Sequence, residues 1–192
     1  TGSTNAEIGS VVTITGLDGT SRTATVVAGT GGANAFTLAI AASAVTAFTE
    51  GSHTAQASVV NKFGVSASAT QTVEVDYTAP TLSSITLADT ALLIGETSVV
   101  TFTFSEEPTT FVLSDISVAG AQGAVSNLVK SNGDPKVWTA TFTPTADIED
   151  ASNIISVANG GYTDLAGNSG AGTNSANFTV DTKAPTVAIT LS

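Results

Sequence analysis

Lys136-Val137-Trp138-Thr139-Ala140-Thr141-Phe142-Thr143 is the stretch that decides how this chain folds. Trp138, Ala140 and Phe142 alternate with Val137, Thr139 and Thr141, a period of two that sorts side chains onto opposite faces only in an extended strand. Trp138 is expected to anchor the core between two sheets, with Val137 and Thr139 facing away. The rest of the chain is written in the same vocabulary: 33 of the 192 residues are Thr. Thr and Val suit a pleated surface, while the straight-chain helix formers are scarce. The reading is all-β.

The rhythm recurs on both sides of that stretch. Upstream candidates are Val11–Thr15, Thr23–Val27, Phe36–Ile40, Thr54–Val60 and Ser66–Asp76, each bounded by Gly, Asn, Asp or Ser. Ala41–Phe48 reads as a connection. Later candidates are Leu82–Leu87, Ser98–Phe104, Ala124–Lys130, Lys136–Thr143, Ile154–Val157 and Ala176–Val180. Asn132-Gly133-Asp134 before Pro135 marks a turn, and Asp147-Ile148-Glu149-Asp150 an acidic turn with a helical-type cap.

An internal repeat sets the boundary. Val73-Glu74-Val75-Asp76-Tyr77-Thr78-Ala79-Pro80-Thr81 returns as Phe178-Thr179-Val180-Asp181-Thr182-Lys183-Ala184-Pro185-Thr186, 105 positions later. A strand ending in Asp, then Ala-Pro-Thr, marks the exit of one domain and the start of another, joined by a short, stiff linker. Three segments follow: a repeat over 1–77 that lacks or borrows its first strand, a repeat over 78–182, and residues 183–192 as the first strand of a following, truncated repeat. Strands of this length and spacing predict tandem immunoglobulin-like antiparallel β-sandwiches.

Composition narrows the function. The net charge is −11, with −3 before residue 78 and −8 after it, so neither repeat offers the basic face that nucleic acid or an anionic membrane requires. No apolar run approaches the length of a membrane span. The absence of methionine predicts a piece of a longer protein, with any secretion signal or anchor outside it. Without cysteine there is no disulfide, thiol chemistry or Cys-ligated zinc. His53 is the single histidine and reads as a turn residue, which leaves a Ser-His-Asp triad without support. Gly29-Thr30-Gly31-Gly32 lacks the Lys of a phosphate loop and reads as a turn. The chain is not expected to be an enzyme.

The second repeat carries Val99-Val100-Thr101-Phe102-Thr103-Phe104-Ser105-Glu106, then Trp138-Thr139-Ala140-Thr141-Phe142-Thr143-Pro144, then Tyr162-Thr163-Asp164-Leu165-Ala166-Gly167-Asn168, and the exit Val180-Asp181-Thr182-Lys183-Ala184-Pro185. This ordered set resembles the bacterial Ig-like repeats of giant cell-surface adhesins, of the biofilm-associated and RTX types. The first repeat is similar to a related type through Ala47–Ala55 and its Val75-Asp76 exit, but has Asn61-Lys62-Phe63-Gly64 where the family has Asp-x-x-Gly-Asn. The resemblance implies an extracellular, cell-tethered array for cell adhesion or biofilm formation. Its partners would be neighbouring repeats, its distal ligand is unspecified, and it commonly carries Ca²⁺ at domain junctions.

On immunoglobulin strand order, Asp76 at the first exit, Glu106 after the second strand, and Asp164 with Asn168 in the last turn face one junction. Oxygen ligands from several loops suit Ca²⁺ rather than zinc. Asp181 is the counterpart of Asp76 at the following junction, where Asp147–Asp150 could join it, and Glu107 is a weaker candidate. The plain alternative is solvated turn acids, with Asp164 and Asn168 supporting a local turn. Two other functions compete with a calcium-stiffened spacer: a module that grips a carbohydrate or host protein, and an accessory domain of a secreted polysaccharide-degrading enzyme.

Overall fold

The computed structural model describes residues 2–16, 21–29, 34–37, 48–61 and 63–190. The chain divides into two units, Thr1–Tyr77 and Thr78–Ser192. In the first, β1 (Gly2–Thr4), β4 (Val27–Ala28) and β5 (Asn34–Phe36) form one sheet in the order β1-β5-β4. A second sheet runs β3-β2-β6-β7, from β2 (Val11–Thr15), β3 (Arg22–Thr25), β6 (Gly51–Val60) and β7 (Ser66–Val75). The β6–β7 hairpin pairs in register from Gly51↔Val75 to Val60↔Ser66. Asn61 closes it: its Oδ1 accepts from the Phe63 and Val65 amides at 2.9 Å each, and Gly64 supplies the positive φ of +80°. Val12, Ala24 and Val26 are the buried apolar residues described in this unit. The strand expected at Phe36–Ile40 ends at Phe36, and its remainder after Thr37, the connection Ala41–Ala47 and Thr30–Gly32 lie outside the described residues.

The second unit contains β8 (Leu82–Leu87), β9 (Ala91–Leu93), β10 (Ser98–Phe104), β11 (Ile116–Gly120), β12 (Gly123–Lys130), β13 (Val137–Pro144), β14 (Glu149–Val157), β15 (Thr173–Asn174) and β16 (Phe178–Asp181). One sheet runs β12-β13-β10-β8 and the other β11-β14-β16-β9, with β15 beside β14. Both sheets feed one core, with Phe102, Ala140 and Phe142 from the first and Leu92, Ile155 and Phe178 from the second. The strands described pair antiparallel, as expected, apart from β16 with β9, which is parallel, and an isolated parallel bridge joins Thr81 to Ala171. The parallel pair arises because the second unit's opening segment is split, β8 serving one sheet and β9 the other. Ser98, 1% exposed, fastens the bend between them: its Oγ accepts from the Asp89 amide and donates to the Asp89 carbonyl, both at 2.9 Å.

Four further differences concern local structure. Glu149 and Asp150, read as part of an acidic turn, open β14, and no helical cap forms there. The strand is bulged between Asp150 and Asn153. Buried Asn153 fills the bulge, its Nδ2 donating to the carbonyls of Asp150 at 2.9 Å and Phe178 at 3.3 Å. His53 lies within β6 rather than in a turn. Trp138 is a partly buried flank of the core, set edge-on to Phe111 at 5.7 Å, while the fully buried aromatics are Phe102, Phe142, Tyr162 and Phe178. Residues 183–190 form no strand, and Val187 and Ile189 are 90% and 85% exposed. A strand exists only where an edge is available to pair with it.

Candidate metal centre at one end of the second unit

β10 ends at Phe104 and delivers Ser105-Glu106-Glu107-Pro108 to the end of the sandwich. That turn is tied to the segment preceding β8. The Ser105 amide donates to the Thr81 carbonyl at 2.8 Å, and Ser105 Oγ accepts from the Thr81 amide at 2.9 Å. The turn after Tyr162 comes to the same end through threonines. Thr109 Oγ1 donates to the Asp164 carbonyl at 2.8 Å, and Thr110 Oγ1 accepts from the Thr163 amide at 2.8 Å. These contacts place Glu106 and Asp164 with carboxylate oxygens within 4.8 Å of one another.

Asp164 organises its own loop. Its Oδ1 accepts from the Asn168 amide and its Oδ2 from Asn168 Nδ2, both at 2.8 Å. Gly167 supplies the left-handed residue with φ +91°. Asp164 is 2% exposed. Burial pushes its pKa up, but donors from the Asn168 side chain and the backbone of Asn168, Gly167 and Ala166 together hold it below the ordinary 3.8. A buried carboxylate therefore stays charged beside a second one. Tyr162 takes the opposite direction: burial pushes its phenol up to about 12, with the Glu106 charge adding to the effect against a backbone hydrogen bond at Leu82. It stays a neutral donor, and its hydroxyl donates to the Ala171 carbonyl at 2.7 Å.

Asn168 reaches further, its Nδ2 lying 3.4 Å from the Thr78 carbonyl oxygen. Asp76 lies in the first unit, two residues before Thr78 in the chain. Asp181 stands elsewhere. It ends β16 opposite Glu149 at the other end of the sandwich, where its Oδ1 accepts from the Lys183 amide at 3.2 Å. Lys183 Nζ lies 4.0 Å from Glu149 Oε2. Glu107 pairs with Lys130 at 2.8 Å. His53 Nε2 hydrogen-bonds the Thr49 carbonyl at 2.7 Å. Tyr162 and the threonines Thr109 and Thr110 are the residues that sequence reasoning missed. The cue available was a Tyr opening the Asp-x-x-Gly-Asn loop and a Thr pair following the Glu106 turn.

A four-stranded sheet against a five-stranded one, with the opening segment split between them as β8 and β9 and one core enclosed, defines an immunoglobulin-like sandwich. A family model described as bacterial Ig-like domain matches residues 76–180, more than half of the chain, and the chain belongs to that family. No protein of curated function matches it. Among solved structures it is similar to one concerned with host cell surface retention of a 1.5-MDa bacterial ice-binding adhesin, at 22% identity and TM-score 0.39. That similarity covers 93% of this chain and 55% of the other, so the chain spans little more than half of that structure. No helix among the described residues is long and apolar enough to cross a membrane.

Proposed function

We propose that this chain is a non-enzymatic structural spacer, a pair of Ig-like repeats of a bacterial surface adhesin that works outside the cell and is stiffened by junction calcium. The observation that carries the reading is the pair of carboxylates from Glu106 and Asp164 within 4.8 Å, beside the segment that leads back to Asp76. The donor set fits the ion: carboxylate and amide oxygens with no His or Cys match a hard cation. Asp76, Glu106 and Asp164 would hold it, with Asn168 positioning Asp164 and the Thr78 carbonyl nearby. Bound calcium neutralises the like charges and links two loops of the second unit to the exit of the first.

The test is small-angle scattering with calcium and with chelator, on the wild type and on Asp76→Ala. Calcium is expected to raise and sharpen the maximum dimension of the wild type, and Asp76→Ala to remove that response. An unchanged wild-type profile would overturn the reading.

A further inference from the structure

The turn at Asn132-Gly133-Asp134 takes no part in the candidate metal centre, yet it carries chemistry of its own. An asparagine followed by glycine sets an electrophile, the side-chain Cγ, beside the least hindered backbone nitrogen a chain can offer, because glycine has no Cβ. The sequence contains two such pairs, Asn132-Gly133 and Asn159-Gly160. Both lie outside the strands and all four residues are exposed, so access to water does not tell them apart. Hydrogen bonding does.

The Asn159 pair is held at both reacting groups. Asn159 Oδ1 accepts from the Gly172 amide at 2.9 Å, and the Gly160 amide donates to the Gly170 carbonyl at 2.8 Å. Gly160 is also fixed in the left-handed region, at φ +77°. For its nitrogen to reach Asn159 Cγ both bonds must break together, which requires a local opening of the fold. The Asn132 pair is not held in this way. The Asn132 side-chain amide has no hydrogen-bond partner among the described residues, and the Gly133 amide meets the Ser131 hydroxyl at 3.3 Å, longer than an ordinary N–H···O bond. The bonds that close the turn bypass the pair. The Ser131 amide donates to the Val137 carbonyl at 2.8 Å, the Val137 amide to the Asp134 carbonyl at 3.1 Å, and the Lys136 amide to Asp134 Oδ1 at 2.9 Å. Asn132 and Gly133 can therefore reorient without breaking the end of the β12–β13 hairpin.

We propose that Asn132 is a site of spontaneous deamidation, with water as the co-reactant, and that the fold protects Asn159 from the same reaction. A solvent base takes the Gly133 amide proton, and the nitrogen attacks Asn132 Cγ. The new C–N bond closes a succinimide ring as the Cγ–Nδ2 bond breaks, and the side-chain nitrogen leaves as ammonia with a proton from water. Water then opens the ring at either carbonyl. One opening leaves an aspartyl residue, and the other an isoaspartyl residue whose backbone runs through Cγ; nothing is oxidised or reduced. Either product adds one negative charge to a chain already at −11, since a carboxylate ionises above about pH 4. The isoaspartyl form also lengthens the turn by one methylene. The loop so altered is the one from which Lys136 Nζ donates to the Ser105 carbonyl at 3.0 Å, one residue before Glu106.

The experiment incubates the 192-residue chain in mildly alkaline buffer, folded and in guanidinium, and samples it over time. Peptide mass mapping follows the exchange of NH₂ for OH at each pair, and chromatography separates the aspartyl from the isoaspartyl product. In denaturant the two pairs should react at similar rates. Folding should slow Asn159 by about tenfold or more, the effect of two hydrogen bonds that must open together, and leave Asn132 close to its unfolded rate. Isoelectric focusing should show a more acidic band growing in the folded wild type. Asn132→Gln should remove that band. Gly133→Ala should slow the reaction at Asn132 severalfold and spare Asn159, because a Cβ there crowds the attacking nitrogen. That Cβ would meet nothing within 4 Å and needs no positive φ, so the melting temperature should not fall. Equal rates at the two pairs in the folded chain would overturn the proposal, whether both react or both are protected. So would an acidic band that grows undiminished in Asn132→Gln.

Discussion

Asp164 shows how one residue can serve a local turn and a shared site together. Each of its oxygens accepts one hydrogen bond from Asn168, and each keeps lone-pair capacity for another partner. The Asp-x-x-Gly-Asn spacing made this loop legible from sequence, because Asp, Gly and Asn have separate physical reasons to occupy it. The burial of Tyr162 was harder to read: its place at the opening of the loop was visible, but an aromatic next to a turn does not by itself show that it lies inside. The pKa direction of Asp164 fixes a pH dependence. Its folded value lies below its unfolded one, so its stabilisation is present above about pH 4 and is lost as pH falls through the folded value. Asp164→Asn should cost about 1–3 kcal/mol at pH 7, since a charged acceptor of several donors is lost. Thermal melting from pH 7 to pH 2 checks it. The gap between wild type and variant should narrow below pH 4, and a constant gap would show that the charge is not what stabilises the loop.

At the scale of elements, alternation located strands well where both faces were regular and failed where the ladder was interrupted. β8 and β10 fall on the expected residues, Leu82–Leu87 and Ser98–Phe104. β14 is five residues longer than its periodic part at Ile154–Val157, because the bulge filled by Asn153 breaks the period in Asp150-Ala151-Ser152-Asn153. β9 has three residues and β11 is itself irregular between Ser117 and Gly120, so neither is long enough to display a period. Close approach also goes unread in a sequence. Gly170 donates from its amide to the Tyr162 carbonyl at 2.8 Å, and a Cβ there would overlap the Tyr162 ring. Gly170→Ala should therefore destabilise the second unit by about 1–3 kcal/mol, the range for overfilling a packed site. Urea unfolding measures it, and a loss under about 0.5 kcal/mol would mean that the ring moves aside freely.

At the scale of the whole molecule, the acidic balance and the candidate site lead to one measurable consequence. With 16 acidic and 5 basic residues, any salt reduces self-repulsion in the folded state, so a calcium effect must be separated from screening. A specific site adds a term that screening cannot mimic. For a dissociation constant of about 0.1 mM, within the extracellular class, 1 mM calcium stabilises the folded state by about 1.4 kcal/mol. For a unit the size of residues 78–192 that amounts to about 5–8 °C in melting temperature. Potassium chloride at matched ionic strength should reproduce only a small part of the shift. Magnesium should do less than calcium, because it gives up its waters reluctantly and demands a stricter octahedron. Glu106→Gln removes one carboxylate while keeping the side chain's length, so it should abolish most of the calcium increment and leave the calcium-free melting temperature unchanged or slightly raised. Equal shifts from all three salts, or a full calcium increment in Glu106→Gln, would reduce Glu106 and Asp164 to neighbouring turn acids.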